Sequence, residues 1–227
     1  MAHRYSKKYQ ETLKLFDSKK IYPISEAINL AKKTSITKFD STVELAFRLN
    51  VDSRQTDQQI RGALVLPSGT GKKSKILVLT NTMQKEATEN EADFVGAKDL
   101  IEKIQKENWF EFDVIIATPD IMPELGRIGK ILGPRGLMPN PKLGTVTTNL
   151  KKAIGDIRKG KIEYRVDKQG NIHVILGKVS FSEEQLQNNY QAIYEEIKRV
   201  KPSVVKGDYI KNISITTTMG PSIKVLF

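Results

Sequence analysis

The strongest constraint on the fold of this chain is that its hydrophobic periodicity changes twice along its length. Residues 42–51 alternate strictly between apolar and polar side chains, which predicts a strand with one buried face. Segments 60–67, 162–178 and 209–227 contain further strands of this kind, with helices between them. Residues 75–118 instead place short apolar runs between amphipathic helices, a pattern typical of a parallel sheet covered on both faces.

These two changes predict that one domain is inserted into another. We expect a discontinuous α+β domain made of residues 1–67 and 160–227, and an inserted α/β domain made of residues 68–159. The chain would cross between the domains twice, and Pro67, Gly69, Gly71 and Gly160 at these crossings predict a two-stranded hinge. A single continuous sheet is the alternative that periodicity leaves open.

Capping residues predict where several helices begin and end. Ser182 and Gln185 have the spacing of a capping box at the start of a helix that Pro202 would close. Ser25 is the expected N-cap of a helix that follows Pro23. The segment 119–132 is expected to start one further helix.

The charge of the chain favours a polyanionic partner. There are 37 Lys plus Arg against 26 Asp plus Glu, a net charge of +11. Within the insert, residues 85–124 hold 4 basic and 11 acidic side chains, whereas residues 125–161 hold 9 basic and 1 acidic. A polyanion is therefore expected to meet the second segment and to avoid the first. A soluble basic protein without such a partner is the alternative.

The sequence offers little for catalysis, metal binding or membrane insertion. Residues 69–73 (GTGKK) resemble a phosphate-binding loop, but Leu66 and Lys73 occupy positions that need Gly and Ser or Thr. Cysteine is absent and the only histidines are His3 and His173, so we expect neither a metal nor another cofactor. No apolar run approaches the ~20 residues of a spanning helix. These features predict a cytoplasmic protein that is not an enzyme.

The segment 131–146 (ILGPRGLMPNPKLGTV) predicts an ordered loop that presents a surface. It holds three Pro and three Gly among apolar residues, so its backbone is expected to hold one irregular shape. It carries no nucleophile, metal ligand or general base. Its cations Arg135 and Lys142 are candidates for secondary contacts with RNA.

Two segments of the split domain are candidates for RNA recognition. Lys38 and Phe39 precede the strand that carries Thr42 and Glu44, and an aromatic ring beside a cation can stack on an unpaired base. The second segment contains three hydroxyl side chains followed by a Met-Gly-Pro turn, whose glycine permits close approach of a backbone. A buried Phe39 and an ordinary β-turn are the structural alternatives. The candidates in the second segment are Thr216, Thr218, Met219 and Gly220.

Five motifs along the whole chain resemble the L-one family of bacterial large-subunit ribosomal proteins. In order they are RGALVLPSGTGK (61–72), ILGPRGLMPNPKLGTV (131–146), DKQGNIH (167–173), KPSVVKGDYI (201–210) and TTTMGPSIKV (216–225). The Pro/Gly segment and the Thr-Met-Gly-Pro segment are the most specific. Ser222 and Thr217 depart from the family pattern, where Gly and Ser are frequent, and both substitutions are small.

The resemblance implies both a fold and a function. The insert would be a three-layer, Rossmann-like α/β domain. The protein would be part of the large ribosomal subunit, bind the mobile stalk of its ribosomal RNA, assist release of deacylated transfer RNA from the exit site and repress translation of its own operon messenger RNA. The resemblance also places three groups on the RNA-facing surface. They are Phe39, Thr42 and Glu44 on a strand, Asp167 and Lys168 on a hairpin turn, and Thr216, Thr218, Met219 and Gly220 on a loop.

Two other functions stay open at this point. One is an α/β enzyme that uses the insert as a nucleotide site, which the incomplete phosphate-binding loop and the missing acid–base residues disfavour. The other is a regulatory RNA-binding protein that never joins a ribosome.

Overall fold

The computed structural model describes residues 6–227, so His3 lies outside the described part of the chain. The helices in this part are α1 Lys7–Leu13, α2 Ile24–Lys33, α3 Gln84–Glu89, α4 Lys98–Glu107, α5 Met122–Arg127, α6 Gly129–Leu132, α7 Leu150–Arg158 and α8 Glu183–Arg199. The strands are β1 Ile21–Tyr22, β2 Thr42–Leu49, β3 Arg61–Val65, β4 Ile76–Leu79, β5 Phe94–Gly96, β6 Val114–Ala117, β7 Lys161–Arg165, β8 Asn171–Lys178, β9 Ile210–Thr217 and β10 Ile223–Val225.

The chain folds into two compact units, and both ends of the chain belong to the first. Residues up to Gly71 together with Gly160–Phe227 form the first unit, and Lys72–Lys159 form the second. The described residues form three separate sheets, so the alternative of one continuous sheet is wrong. The expected fold class, α+β at the ends and α/β between them, is confirmed.

The first unit is built on a sheet in the order β1-β10-β9-β2-β8. Strand β2 lies between β8 and β9 and is antiparallel to both. Its alternate residues Val43, Leu45, Phe47 and Leu49 are buried, as the periodicity predicts. Helices α2 and α8 cover this apolar face, and β3 pairs with β7 in a separate two-stranded sheet.

The second unit is a three-layer α/β structure around the parallel sheet β5-β4-β6. All four residues of β4 are buried because helices cover both faces of the sheet. Helices α4 and α5 pack on one face, where Leu77 and Leu79 point, and α3 and α7 pack on the other, where Ile76 and Val78 point. The three-residue strand β5 was not predicted, because so short a segment has no detectable alternation.

Two helix boundaries differ from the sequence prediction, and one agrees. Helix α2 begins at Ile24 with Pro23 at its N-cap and no capping side chain, so the expectation that Ser25 is the N-cap was wrong. The segment 119–132 is broken into a short 3-10 helix, α5 and α6, and Ile128 separates the two α-helices. The capping box of Ser182 and Gln185 is confirmed at the start of α8.

The segment that leaves the first unit and the segment that returns to it lie side by side, with Gly69 next to Gly160. Gly160 has a φ of +97°, and a Cβ atom there would lie only 2.7 Å from the Cα of Gly69 and 2.8 Å from the nitrogen of Thr70. A side chain at Gly160 would therefore both strain the backbone and overlap the other crossing segment. Gly69 and Gly71 also have positive φ, and Pro67 is exposed.

A buried amide on α8 holds the outgoing segment in place. Asn189 is fully buried, and its Nδ2 donates hydrogen bonds to the carbonyl oxygens of Gly69 at 3.0 Å and Leu176 at 2.8 Å. Its Oδ1 accepts a hydrogen bond from the backbone N–H of Ser68 at 3.0 Å. One side chain thus satisfies one buried and two partly buried backbone groups.

We expect Asn189→Ala to lower the free energy of unfolding by roughly 2 kcal/mol, because it leaves one buried and two partly buried backbone groups without their side-chain partner. Asn188→Ala is the matched control, since Asn188 is exposed on the same helix and its replacement is expected to change stability by less than ~0.5 kcal/mol. Urea unfolding followed by circular dichroism measures both. Equal stabilities of the two variants would contradict the anchoring role of Asn189.

Candidate nucleic-acid interface

The structure brings the two candidate segments together where β2 begins and β9 ends. Glu44 lies opposite Thr216 in the antiparallel pair. Beyond the pair, the backbone N–H of Thr42 donates to Oγ1 of Thr218 at 3.1 Å, and the N–H of Thr218 donates to the carbonyl oxygen of Thr42 at 3.0 Å. Four predicted residues from distant parts of the sequence therefore form one surface.

The loop after β9 presents Met219 to solvent. This side chain is 74% exposed, and its φ of +63° lies in the left-handed region that residues with a side chain rarely adopt. The loop is nevertheless well tied, because the N–H of Gly220 donates to the oxygen of Thr217 at 2.8 Å and the hydroxyl of Thr216 donates to the oxygen of Gly220 at 3.2 Å. A strained residue that carries an exposed apolar side chain is typical of a binding site.

The packing of the loop itself requires glycine at position 220. A Cβ atom at this position would lie 2.2 Å from Oγ1 of Thr217, a side chain that is only 3% exposed. Sequence reasoning assigned Gly220 to close approach of RNA, and the structure adds that a side chain here would displace its own neighbour. Substitutions at Gly220 therefore report on the shape of the loop as well as on any ligand.

Phe39 and Lys38 are both exposed in the segment that precedes β2. Phe39 is 64% exposed, so the alternative of a buried core residue is wrong. It lies three residues before Thr42, and thus within about 10 Å of it. Asp40 anchors this segment, because its carboxylate accepts hydrogen bonds from the backbone N–H and the hydroxyl of Ser180 at 3.0 and 2.8 Å.

Lys178 is a cation at this surface that sequence reasoning missed. Its Nζ donates to Oγ1 of Thr42 at 3.0 Å and, more weakly, to the oxygen of Asp40 at 3.4 Å. Lys178 is the last residue of β8, where it pairs with Thr42. The only available signal was its place at the end of an alternating segment, which does not identify its partner strand.

Asp167 and Lys168 lie at the other end of the sheet. Their turn joins β7 to β8, where Asn171 is paired with Arg48, and Arg48 is about 20 Å along β2 from Thr42. The structure therefore does not place them beside Phe39 or Met219. Lys168 is exposed near the tip of this turn.

Hydrogen bonds to Asp167 fix the shape of this turn. Its carboxylate accepts from the backbone N–H groups of Asn171 and Gln169 at 2.7 and 2.9 Å, and from the side chain of Asn171 at 3.0 Å. Partial burial opposes ionisation of Asp167, but these hydrogen bonds outweigh it and lower the pKa of the carboxyl below its usual value. Asn171 in turn accepts a hydrogen bond from Arg48 at 3.2 Å.

A polar face of the sheet connects the two ends. It lies opposite the face covered by α2 and α8, and its central residues Ala46 and Ser214 are small. Its other members are Glu44 and Arg48 on β2, Asn171, His173 and Ile175 on β8, Asn212 and Thr216 on β9, and Lys224 on β10. Such a face offers hydrogen-bond donors, acceptors and cations over a continuous area, which suits a large polar ligand better than a small molecule.

The Pro/Gly segment of the second unit is ordered, as predicted. Asn140 caps a short 3-10 helix at Pro141–Leu143, and its backbone N–H donates to the hydroxyl of Thr145 at 2.8 Å. The guanidinium of Arg135 lies over the ring of Phe110 at 3.7 Å. Arg135 and Lys142 are both exposed in this unit.

The residues that suggested other kinds of site were also located. Lys72 of the phosphate-loop-like segment forms an ion pair with Asp113 at 2.5 Å, so its charge has a structural partner. Between residues 6 and 227 no three metal-ligating side chains gather into a group that could hold an ion. In the same range no helix is long and apolar enough to cross a membrane.

Comparisons with known proteins agree with the resemblance of the motifs. The model of the ribosomal protein L1p/L10e family matches residues 31–221. A protein of Mesoplasma florum named large ribosomal subunit protein uL1 is 65% identical over 222 residues, which cover 98% of each chain. A protein with the same name from Mycoplasma capricolum subsp. capricolum is 61% identical, and the match covers 99% of each chain. Another, from Aster yellows witches'-broom phytoplasma, is 57% identical, and the match covers 96% of this chain and 95% of the relative.

We expect Gly220→Ala to lower the free energy of unfolding by ~1–3 kcal/mol, because the added methyl group overlaps the hydroxyl of Thr217. Ser222→Ala is the control in the same loop, since Ser222 is exposed and its loss is expected to cost less than ~0.5 kcal/mol. Thermal unfolding of both variants tests this. If the Gly220→Ala protein is as stable as the Ser222→Ala protein, the loop can rearrange around the methyl group at no cost and the prediction is wrong.

Proposed function

The chain belongs to the ribosomal protein L1p/L10e family, and from this premise we propose that it binds the mobile stalk of large-subunit ribosomal RNA through the first unit. A member of this family is a structural protein of the ribosome and not an enzyme. The proposal thus concerns which RNA is bound, by which residues, and with what consequence.

The observation that carries the proposal is the pair of exposed apolar side chains beside the joined ends of β2 and β9. Phe39 and Met219 are 64% and 74% exposed, although both are large and apolar. An aromatic ring in water is a stacking platform for an unpaired base, and such stacking is worth about 1–3 kcal/mol per base. The hydrogen bonds between Thr42 and Thr218 join the segment that carries Phe39 to the loop that carries Met219.

Polar groups around this pair would read the sugar–phosphate backbone. Glu44 and the hydroxyls of Thr216 and Thr218 can bond 2′-hydroxyl groups, which distinguish RNA from DNA. Lys38 and Lys178 supply positive charge for phosphates. Lys168, about 20 Å away along the sheet, would contact a second part of the same RNA.

The same surface supports a regulatory role. A messenger RNA that folds like the stalk would meet the same side chains, so binding to one RNA would exclude the other. We propose on this basis that the protein represses translation of its own operon messenger. The basic part of the insert, with Arg135 and Lys142, would contact transfer RNA as the stalk moves, and would thereby assist release of deacylated transfer RNA from the exit site.

The movement would take place at the two crossings, which we propose act as a hinge. Asn189 holds Ser68 and Gly69 within the first unit. Bending is therefore expected at Gly71 and beside Gly160 rather than at Pro67.

We expect Phe39→Ala to weaken binding of large-subunit ribosomal RNA by at least about fivefold, because one stacking contact is lost. Leu15→Ala is the matched control, since Leu15 is 57% exposed in the same unit but lies outside the interface, and it is expected to bind like the unaltered protein. Filter binding with purified ribosomal RNA gives both affinities.

The same two variants test the messenger proposal. If one surface serves both RNAs, Phe39→Ala weakens binding of the operon messenger in parallel, and ribosomal RNA competes with it. A Phe39→Ala protein that binds ribosomal RNA normally would refute the assigned interface. Loss of ribosomal RNA binding with normal messenger binding would refute the shared surface.

We expect Lys168→Ala to reduce the slope of log K against log salt concentration by about 0.7–0.9, the contribution of one phosphate contact. Lys19→Ala removes the same charge from an exposed turn of the first unit and is expected to leave the slope unchanged. Titrations between roughly 50 and 200 mM salt measure it. Identical slopes for both variants would exclude a direct ionic contact of Lys168.

A further inference from the structure

A cavity of about 850 Å³ lies where β2 ends and β9 begins, at the end of the sheet away from Phe39 and Met219. Asn50, just after β2, the last turns of α8 and the segment 201–211 contribute to its wall. None of its lining residues was a candidate from the sequence. The motif KPSVVKGDYI (201–210) forms much of it, and the proposed function does not use this motif.

The lining of this cavity is strongly positive. Lys198, Lys201, Lys206 and Lys211 contribute four ammonium groups, and Asp208 contributes the one carboxylate side chain. Within residues 6–227, none of the four lysines lies within ion-pair distance of a carboxylate. Apolar groups of Tyr209, Ile210 and Phe227 complete the wall, and the excess of ammonium groups over carboxylate side chains favours an anion as the ligand.

Two of the four lysines are held in place. The Nζ of Lys201 donates to the carbonyl oxygen of Gly207 at 3.2 Å, which leaves two of its three donors for a ligand. Lys198 lies 4.5 Å from the ring centroid of Tyr194. Tyr194 also stacks in parallel on Tyr190, with 5.9 Å between centroids, so its ring is already engaged and the tyrosine is not available as a platform for a base.

A β-bulge removes Lys211 from the regular pairing of β2 with β9. Arg48 pairs with Asn212 and Leu49 pairs with Ile210, so Lys211 is an extra residue without a partner on β2. Bulges of this kind redirect a side chain and are frequent beside functional sites. Lys211 thereby lines the cavity, while its neighbour Asn212 belongs to the polar face of the sheet.

We propose that this cavity binds phosphate groups of the same RNA that the polar face engages, as a second anchoring point. The inference rests on the proposed function, since it takes the RNA to be bound already at the other end of the sheet. Strand β2 spans about 24 Å from Thr42 to Leu49, which is less than one turn of a double helix at ~34 Å. The separation along the sheet is therefore within the reach of one folded RNA that extends past the end of β2.

The chemistry favours phosphodiesters over other anions. Lysine provides compact, strongly hydrated point charges that attract phosphate without needing a fixed orientation. Four such groups around one cavity suit several neighbouring charges on a polymer better than a single small anion. An acidic peptide would offer carboxylates instead, so the binding titrations below are repeated with a poly-glutamate peptide in place of RNA.

The test compares three double variants in binding to purified large-subunit ribosomal RNA over a range of salt concentrations. For Lys206→Ala with Lys211→Ala we expect at least a fivefold loss of affinity and a salt slope smaller by about 1.4–1.8, which corresponds to two phosphate contacts. Replacing both residues by Arg keeps the charge and is expected to retain the affinity. Lys7→Ala with Lys14→Ala removes two exposed charges from α1 and its C-cap, which do not line the cavity, and is expected to retain the slope.

A crosslinking experiment adds a direct measurement. The chain contains no cysteine, so Lys206→Cys provides a unique attachment point for a photoreactive group. We expect it to crosslink to ribosomal RNA in the bound complex. Crosslinks to RNA support the proposal, whereas a bound complex without them overturns it.

The outcomes separate this inference from the proposed function. If the unaltered protein binds ribosomal RNA but the Lys206 and Lys211 variant has the slope of the α1 control, the second anchoring point is wrong and the function stands. If an acidic peptide binds the cavity and RNA does not, the inference is also wrong. If the unaltered protein does not bind ribosomal RNA, both the proposed function and this inference are wrong.

Discussion

The pairing of β2 with β8 on one side and β9 on the other is the interaction on which the rest of the first unit depends. It joins residues 42–49 to two segments from the far end of the sequence. It buries the apolar face of β2 under α2 and α8 and leaves the polar face open. The same pairing aligns the loop before β2 with the loop after β9, so the fold and the interface have one common cause. The insert is attached at two adjacent crossings and does not interrupt this sheet.

Much of the fold follows from the sequence because burial and periodicity are closely linked. The alternation around Phe47 identified a strand with one buried face, and the capping box at Ser182 fixed the start of the longest helix. The predictions failed where local signals were weak. Strand β5 has three residues, which are too few for a pattern, and α2 begins after Pro23 without any capping side chain. Tertiary packing, rather than local preference, decides such boundaries.

The candidate residues could be named from the sequence, but their arrangement in space could not. Unusual local chemistry marked Phe39 and the Met-Gly turn, and family resemblance added the hairpin at Asp167. The strand register, which only the folded chain reveals, separates that hairpin from the first group and adds Lys178. Gly220 is a second example. The sequence suggested that its missing side chain makes room for a ligand, whereas the structure shows that a side chain there would also overlap Thr217.

The central position of β2 has a consequence for synthesis of the protein. Strand β2 is complete at residue 49, whereas β9 ends at residue 217, about 170 residues later. At ~5–20 residues per second, the first strand waits roughly 10–30 s for its neighbour. The second unit, whose strands and helices all lie within Lys72–Lys159, can fold during this delay. A polypeptide that ends before residue 210 therefore lacks β9, so only longer molecules can join the loop before β2 to the loop after β9.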